Sequence, residues 1–104
     1  MVEALLNEMK EKGIGGAVVR ADGVPVASTI ALKEVDAGLF ASVAGVADAI
    51  LKKSGDAPKE IEISFNNIIV VMVPVKNHIF CGIIKSREEK STVLEYAERA
   101  KSLL

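Results

Sequence analysis

From Ile68 to Val75 every side chain is apolar, and an extended chain points successive side chains to opposite faces. Such a strand has no polar face to offer to water, so both of its faces need cover. After a short polar break at Lys76-Asn77-His78, the run Ile79 to Ile84 makes the same demand. Two neighbouring strands joined by so short a turn pair as an antiparallel hairpin, and helices are the usual cover for both faces of one sheet. The expected class is therefore α/β, with a sheet as the middle of three layers.

The rest of the chain supplies the remaining elements. Val2, Leu5, Leu6 and Met9 fall at helical spacing within Val2 to Lys12, and Gly13 is suited to a helix C-terminus. Asp22-Gly23 separates two apolar runs, Gly16 to Ala21 and Val24 to Thr29, which predicts a tight hairpin. Pro25 lacks an N–H and assigns the second of these strands to a sheet edge. A long helix is expected from Asp36 to about Ser54, stopped by Gly55. Glu60 to Phe65 alternates strictly, with Ile61, Ile63 and Phe65 on one face and Glu60, Glu62 and Ser64 on the other. Asn66-Asn67 then turns the chain into the apolar strand. Thr92 to Glu95 has capping-box spacing and is expected to open a final helix running to Leu104.

The predicted order is α-β-β-α-β-β-β-α, a single domain over residues 1–104. One five-stranded antiparallel sheet is expected, with the middle helix on one face and the two terminal helices on the other. Gly13 to Gly16 follows a helix and precedes no Gly-Lys-Ser/Thr, so it is read as a flexible lead-in to the first strand and not as a phosphate loop.

The middle helix is unusual for its lack of charge. Between Ala37 and Leu51 only Asp48 is charged. Leu39, Val43, Val46 and Ile50 form a stripe expected to cover the sheet, with Phe40, Ala44, Ala47 and Leu51 on its shoulder. Ala37, Ala41, Gly45 and Ala49 then face away, where a surface helix would normally carry charge. Alanine-rich composition also follows from helix propensity alone. Phe40 and Leu51 add bulk that propensity does not explain, so the face is assigned to a second copy of the chain. The strand Glu60 to Phe65 is a second candidate interface if it lies at an edge. Glu60, Glu62 and Ser64 would then flank the seam, where like charges in direct opposition are unfavourable.

Composition removes several functions. Thirteen basic and fourteen acidic residues nearly cancel, and the aromatic residues are Phe40, Phe65, Phe80 and Tyr96 alone. Neither phosphate neutralisation nor base stacking has the residues it needs, so nucleic acid is not an expected partner. No apolar run reaches the ~20 residues that span a bilayer. The segment Met1 to Lys12 lacks a signal peptide's apolar run, and one cysteine suits a reducing compartment, which together suggest a cytoplasmic protein. His78 and Cys81 sit three apart on an extended run and should point to opposite faces. Cys81 is read as a buried apolar residue and His78 as a turn residue. Glu60 and Glu62 have no evident basic companion, and Lys85 to Lys90 is read as a solvated loop. Nothing assembles an acid, a base and an oxyanion site, so no enzymatic activity, metal or cofactor is expected.

The hairpin Gly16-Ala17-Val18-Val19-Arg20-Ala21-Asp22-Gly23-Val24-Pro25-Val26-Ala27, the small-residue-rich helix Leu39 to Leu51, the three apolar strands and the closing helix together resemble the roadblock/LC7 family over nearly the whole chain. Longin and profilin-like domains share parts of this architecture. The resemblance implies dimers in which middle helices pack together and third strands join two sheets into one. It also implies regulation or scaffolding of Ras-like small GTPases through the paired middle helices. Carried onto this chain, the candidate interface residues are Phe40, Ala41, Ala44, Gly45, Asp48, Leu51 and Lys52, with Ala37 and the strand residues Glu60, Glu62 and Ser64 from the readings above. Two other functions compete: a structural subunit paired with a different roadblock-type chain, and a small-molecule sensor, which would need a pocket between sheet and helix.

Overall fold

The computed structural model describes residues 1–30, 41–45, 55 and 59–104. In chain order these form α1 (Val2–Glu11), β1 (Gly15–Arg20), β2 (Pro25–Ser28), the helical stretch α2 (residues 41–45), β3 (Ile61–Ser64), β4 (Ile69–Val75), β5 (His78–Ile84) and α3 (Lys90–Ala100). The five strands make one antiparallel sheet in the order β2-β1-β5-β4-β3.

The doubly apolar runs take the inner positions, as their composition requires. On one face Val18, Val71, Val75, Phe80 and Ile84 pack under α1 and α3, against Leu5, Leu6, Met9, Val93, Tyr96 and Ala97. On the other face Ala17, Val70, Met72, Ile79 and Cys81 form a second cluster, joined by Ile61, Ile63, Ile68 and Ile83 and by Ala41 and Ala44 of α2. The three layers are thus those expected, with α2 opposite the terminal helices. Burying each of the larger aliphatic side chains contributes roughly 1.5–3 kcal/mol.

Turn chemistry sets the strand ends. Gly23 adopts φ 95° in the β1–β2 turn, closed by the Arg20 N–H donating to the Val24 carbonyl at 2.8 Å. β2, with Pro25, is an edge strand. The β4–β5 turn puts Lys76 at φ 55°, a left-handed conformation that a side-chain-bearing residue adopts at a cost.

Two details depart from expectation. α3 begins at Lys90, after a 3-10 turn at Arg87–Glu89. The capping box is Ser86 with Glu89, not Thr92 with Glu95. The Glu89 carboxylate accepts the Lys85 and Ser86 N–H groups at 3.0 and 3.2 Å, so the charged run is folded into a helix start. α3 also ends at Ala100, short of Leu104.

The segment read as a flexible lead-in is partly strand: β1 already begins at Gly15, and Gly16 stands directly opposite Gly82. A Cβ on Gly16 would lie 2.9 Å from Leu6 Cδ2, and one on Gly82 would lie 2.7 Å from both Val93 methyl carbons. This glycine pair makes a flat floor on which both terminal helices sit close to the sheet. The helices are also tied to each other: Arg99 donates to both Glu8 carboxylate oxygens at 3.1 and 3.3 Å. Lys12 and Arg99 both lie against the Tyr96 ring, 5.1 and 4.9 Å from its centre. Hydrogen bonding from Arg99, with Tyr96 second, holds the Glu8 carboxyl below its usual range. The resulting stabilisation is present at neutral pH and fades as pH falls through that lowered value.

Gly82→Ala should destabilise the fold by about 1–3 kcal/mol, because a branched Val93 cannot swing both methyls aside. In urea unfolding the midpoint should fall at unchanged slope. Combining Gly82→Ala with Val93→Ala should cost less than the sum of the two single changes, the signature of direct contact.

Candidate protein-interaction surface

α2 lies on the sheet in a rotation different from the expected one. Ala41 and Ala44 are half-buried and pack on the second core cluster. Ser42 and Gly45 are exposed, and Val43 is 37% exposed. The expectation that Val43 covers the sheet while Ala41 faces away is therefore reversed. The physical reason lies in the sheet, whose face there already carries Ile30, Ile61, Ile63, Ile68, Ile83 and Met72. Bulk on the sheet leaves room for methyl groups on the helix, so the small residues turn inward. The outward side then carries Ser42 and Val43, with Gly45 beside them, and a Cβ on Gly45 would meet nothing within 4 Å. Of the other candidate residues on this helix, Ala37, Phe40, Asp48, Leu51 and Lys52 lie outside the described residues, as do Leu39, Val46 and Ile50 of the expected stripe.

β3 is the outermost strand on its side of the described sheet. Ile61 and Ile63 face the α2 layer, which leaves Glu60 and Glu62 on the α3 side. These carboxylates are not without partners, contrary to the sequence reading. Arg87 Nη1 lies 2.7 Å from Glu62, and Lys90 Nζ lies 2.9 Å from Glu60 and 3.6 Å from Glu62. The Lys90 ammonium is held above its ordinary range, chiefly by its hydrogen bond to Glu60. The segment expected to be a solvated loop thus supplies the counter-charges for the edge strand. No local pattern signals this, because the partners are brought together by the packing of α3 along the sheet. Ser64 is exposed at the strand end, and Phe65 just beyond it is 59% exposed.

The residues considered for chemistry are separated as the strand alternation requires. Cys81 lies in the α2-side core at 1% exposure, and burial pushes its thiol up to about 12. His78 is on the other face of β5, in a hollow of about 430 Å³ at the sheet end with Arg20, Ala21, Asp22 and Asn77. Among the described residues no three His, Cys, Asp or Glu side chains are grouped to hold a metal ion. No helix among them is long and apolar enough to cross a membrane. A second hollow of about 440 Å³ borders α3 and β4, floored by Val73, Pro74, Leu94 and Ala97. It lies on the α3 side, away from α2.

The sequence matches no protein-family model and none of the curated proteins. Solved structures resemble the chain closely in shape. MglB of Myxococcus xanthus superposes with a TM-score of 0.86 at 12% identity, covering 98% of this chain and 93% of that one. An MglB with a tetrameric arrangement gives 0.81 at 18% identity, over 96% and 84%. A roadblock/LC7 domain from Streptomyces avermitilis gives 0.69 at 8% identity, over 97% and 95%. The fold is of the roadblock/LC7 type.

Burial and the raised thiol pKa together make Cys81 inert in the native state. At pH 8 a disulfide reagent should label it only as fast as the protein unfolds, and addition of urea should raise the rate in step with the unfolded population. Rapid labelling of the native protein would contradict this placement.

Proposed function

We propose that the chain is a homodimeric, non-catalytic regulator or adaptor of a Ras-like small GTPase, with the outward side of its middle helix as the docking platform. The observation that carries this reading is the superposition on MglB over nearly the full length of both chains. The tetrameric arrangement of another MglB supports self-association of this fold type. In the dimer, two middle helices pack side by side and two β3 strands extend one sheet into the next.

The described surface is compatible with both contacts. On α2 the exposed Ser42, Val43 and Gly45 present little bulk and no charge, so another backbone can come close at small desolvation cost. At β3 the edge carboxylates are already paired within the chain, which reduces the repulsion that two copies would otherwise face.

A charge belongs at the outward position to test the platform. Val43→Glu should lower the dimer mass seen by sedimentation and abolish retention of a GTPase, with little effect on stability. Ala41→Glu should instead destabilise the fold, because that side chain faces the sheet. Immobilised protein, offered cell extract with excess GTP analogue or GDP, should retain a small GTPase preferentially in one nucleotide state. Retention only of another small α/β chain in both conditions would favour a structural subunit.

A further inference from the structure

The geometry points to one register for the β3 seam: the two β3 strands pair antiparallel about a two-fold axis at Ile63, so that Ile63 meets the partner's Ile63 and Phe65 meets the partner's Ile61. This rests on the homodimer reading above and goes beyond it by assigning which residues meet.

Strand geometry first limits the choices. Extending the sheet with both α2 layers on the same side requires a two-fold axis normal to the sheet. Directly opposed residues then point to the same face. On β3 the odd positions Ile61 and Ile63 face the α2 layer, so odd residues must oppose odd and even oppose even. The axis therefore passes through a residue and not between two, and a one-residue slip would put an isoleucine opposite a glutamate on the wrong face. Within β3 this leaves axes at Ile61, Glu62, Ile63 or Ser64; an axis at Ser64 would set Glu62 against the partner's Asn66 in the β3–β4 turn, where no extended chain is left to pair, and is set aside.

The backbone agrees with all three and so does not choose among them. The Phe65 N–H donates to the Ile68 carbonyl at 2.8 Å, which closes the β3–β4 hairpin. Alternation along the ladder then directs the backbone groups of Ile61 and Ile63 toward β4 and those of Glu62 and Ser64 toward the open edge. Any seam must therefore bond through the even-numbered residues of this segment.

Charge and apolar exposure make the selection. An axis at Glu62 sets that carboxylate against its own copy. An axis at Ile61 sets Glu60 against the partner's Glu62, twice. Both place like charges in direct opposition. An axis at Ile63 places Glu62 opposite the partner's Ser64, a neutral hydroxyl, and leaves the two Glu62 side chains as diagonal neighbours. Arg87 and Lys90, within the same chain, already draw those carboxylates toward α3. The same axis aligns Phe65, 59% exposed in the single chain, with the partner's half-buried Ile61. With the axis at Glu62, Phe65 would meet the partner's Lys59 instead. Among the registers that pair extended chain with extended chain, only the Ile63 axis covers the exposed aromatic with an apolar residue while keeping the carboxylates apart.

Variants with one cysteine added on β3 read the register directly, since the native Cys81 is buried. About a two-fold axis the central non-hydrogen-bonded pair has Cα atoms about 4.5 Å apart, within disulfide reach, whereas diagonal neighbours stand about 7–8 Å apart. Under mild oxidation, Ile63→Cys should form a disulfide-linked dimer much faster than Ile61→Cys or Glu62→Cys. To guard against a perturbed Ile63 site, mixed Glu62→Cys and Ser64→Cys chains should cross-link to each other faster than either does alone. Phe65→Ser should raise the dimer dissociation constant about tenfold, which corresponds to about 1.4 kcal/mol. Faster self-cross-linking of Glu62→Cys or Ile61→Cys overturns this register and leaves the homodimer standing. An unmodified chain that sediments only as a monomer overturns the homodimer reading itself, and the register with it.

Discussion

Three adjacent strands, β1, β5 and β4, bury side chains on both of their faces, and the rest of the structure answers to that constraint. α1 and α3 cover one face and α2 packs on the other, since a sheet with two apolar sides and one layer of cover would leave a large apolar surface in water. The close fit of the terminal helices depends on a small feature of the same strands. Gly16 and Gly82 stand opposite each other and remove the side chains that would hold those helices away. Tight contact there lets Val93, Leu6 and Met9 reach the sheet with almost no exposed area.

The edge of the sheet follows a different logic. β3 has one apolar face toward α2 and one charged face toward α3, and the charged face is matched by Arg87 and Lys90. These cations sit at the junction where the 3-10 turn passes into α3. The capping of that junction by Ser86 and Glu89 therefore also positions the counter-charges of a strand distant in sequence. Edge strands commonly carry charge to discourage pairing. Here the charge is neutralised in place, while Phe65 remains uncovered beside it.

Most of the fold is legible in the sequence because its strongest signals are local. The doubly apolar runs, the Asp22-Gly23 turn, the alternation from Glu60 to Phe65 and the proline in β2 each fix an element without knowledge of the others. The helix face was not legible in this way. A count of apolar residues turns Val43 inward, yet the sheet below is so rich in isoleucine that alanines fit better, and that is a property of the opposing surface. The pairing of Glu60 and Glu62 with Arg87 and Lys90 was hidden for a related reason: it joins segments about twenty-five residues apart whose proximity follows only from the packed sheet. The part that Gly16 plays under α1 leaves no pattern in the sequence, because it lies in what the missing side chain permits.

The strand order has a consequence for how the chain is made. β1 with β2 is one hairpin and β3 with β4 is another, and no ladder joins them directly. β5, the last of these five strands to leave a ribosome, pairs with β1 on one side and β4 on the other. Until residues 78–84 have emerged, the nascent chain holds two separate hairpins with their inner edges unpaired. The helix that shields the finished centre, α3, comes later still. Completion of this core therefore waits for β5 and α3, and the half-made sheet is the form that chaperones would meet.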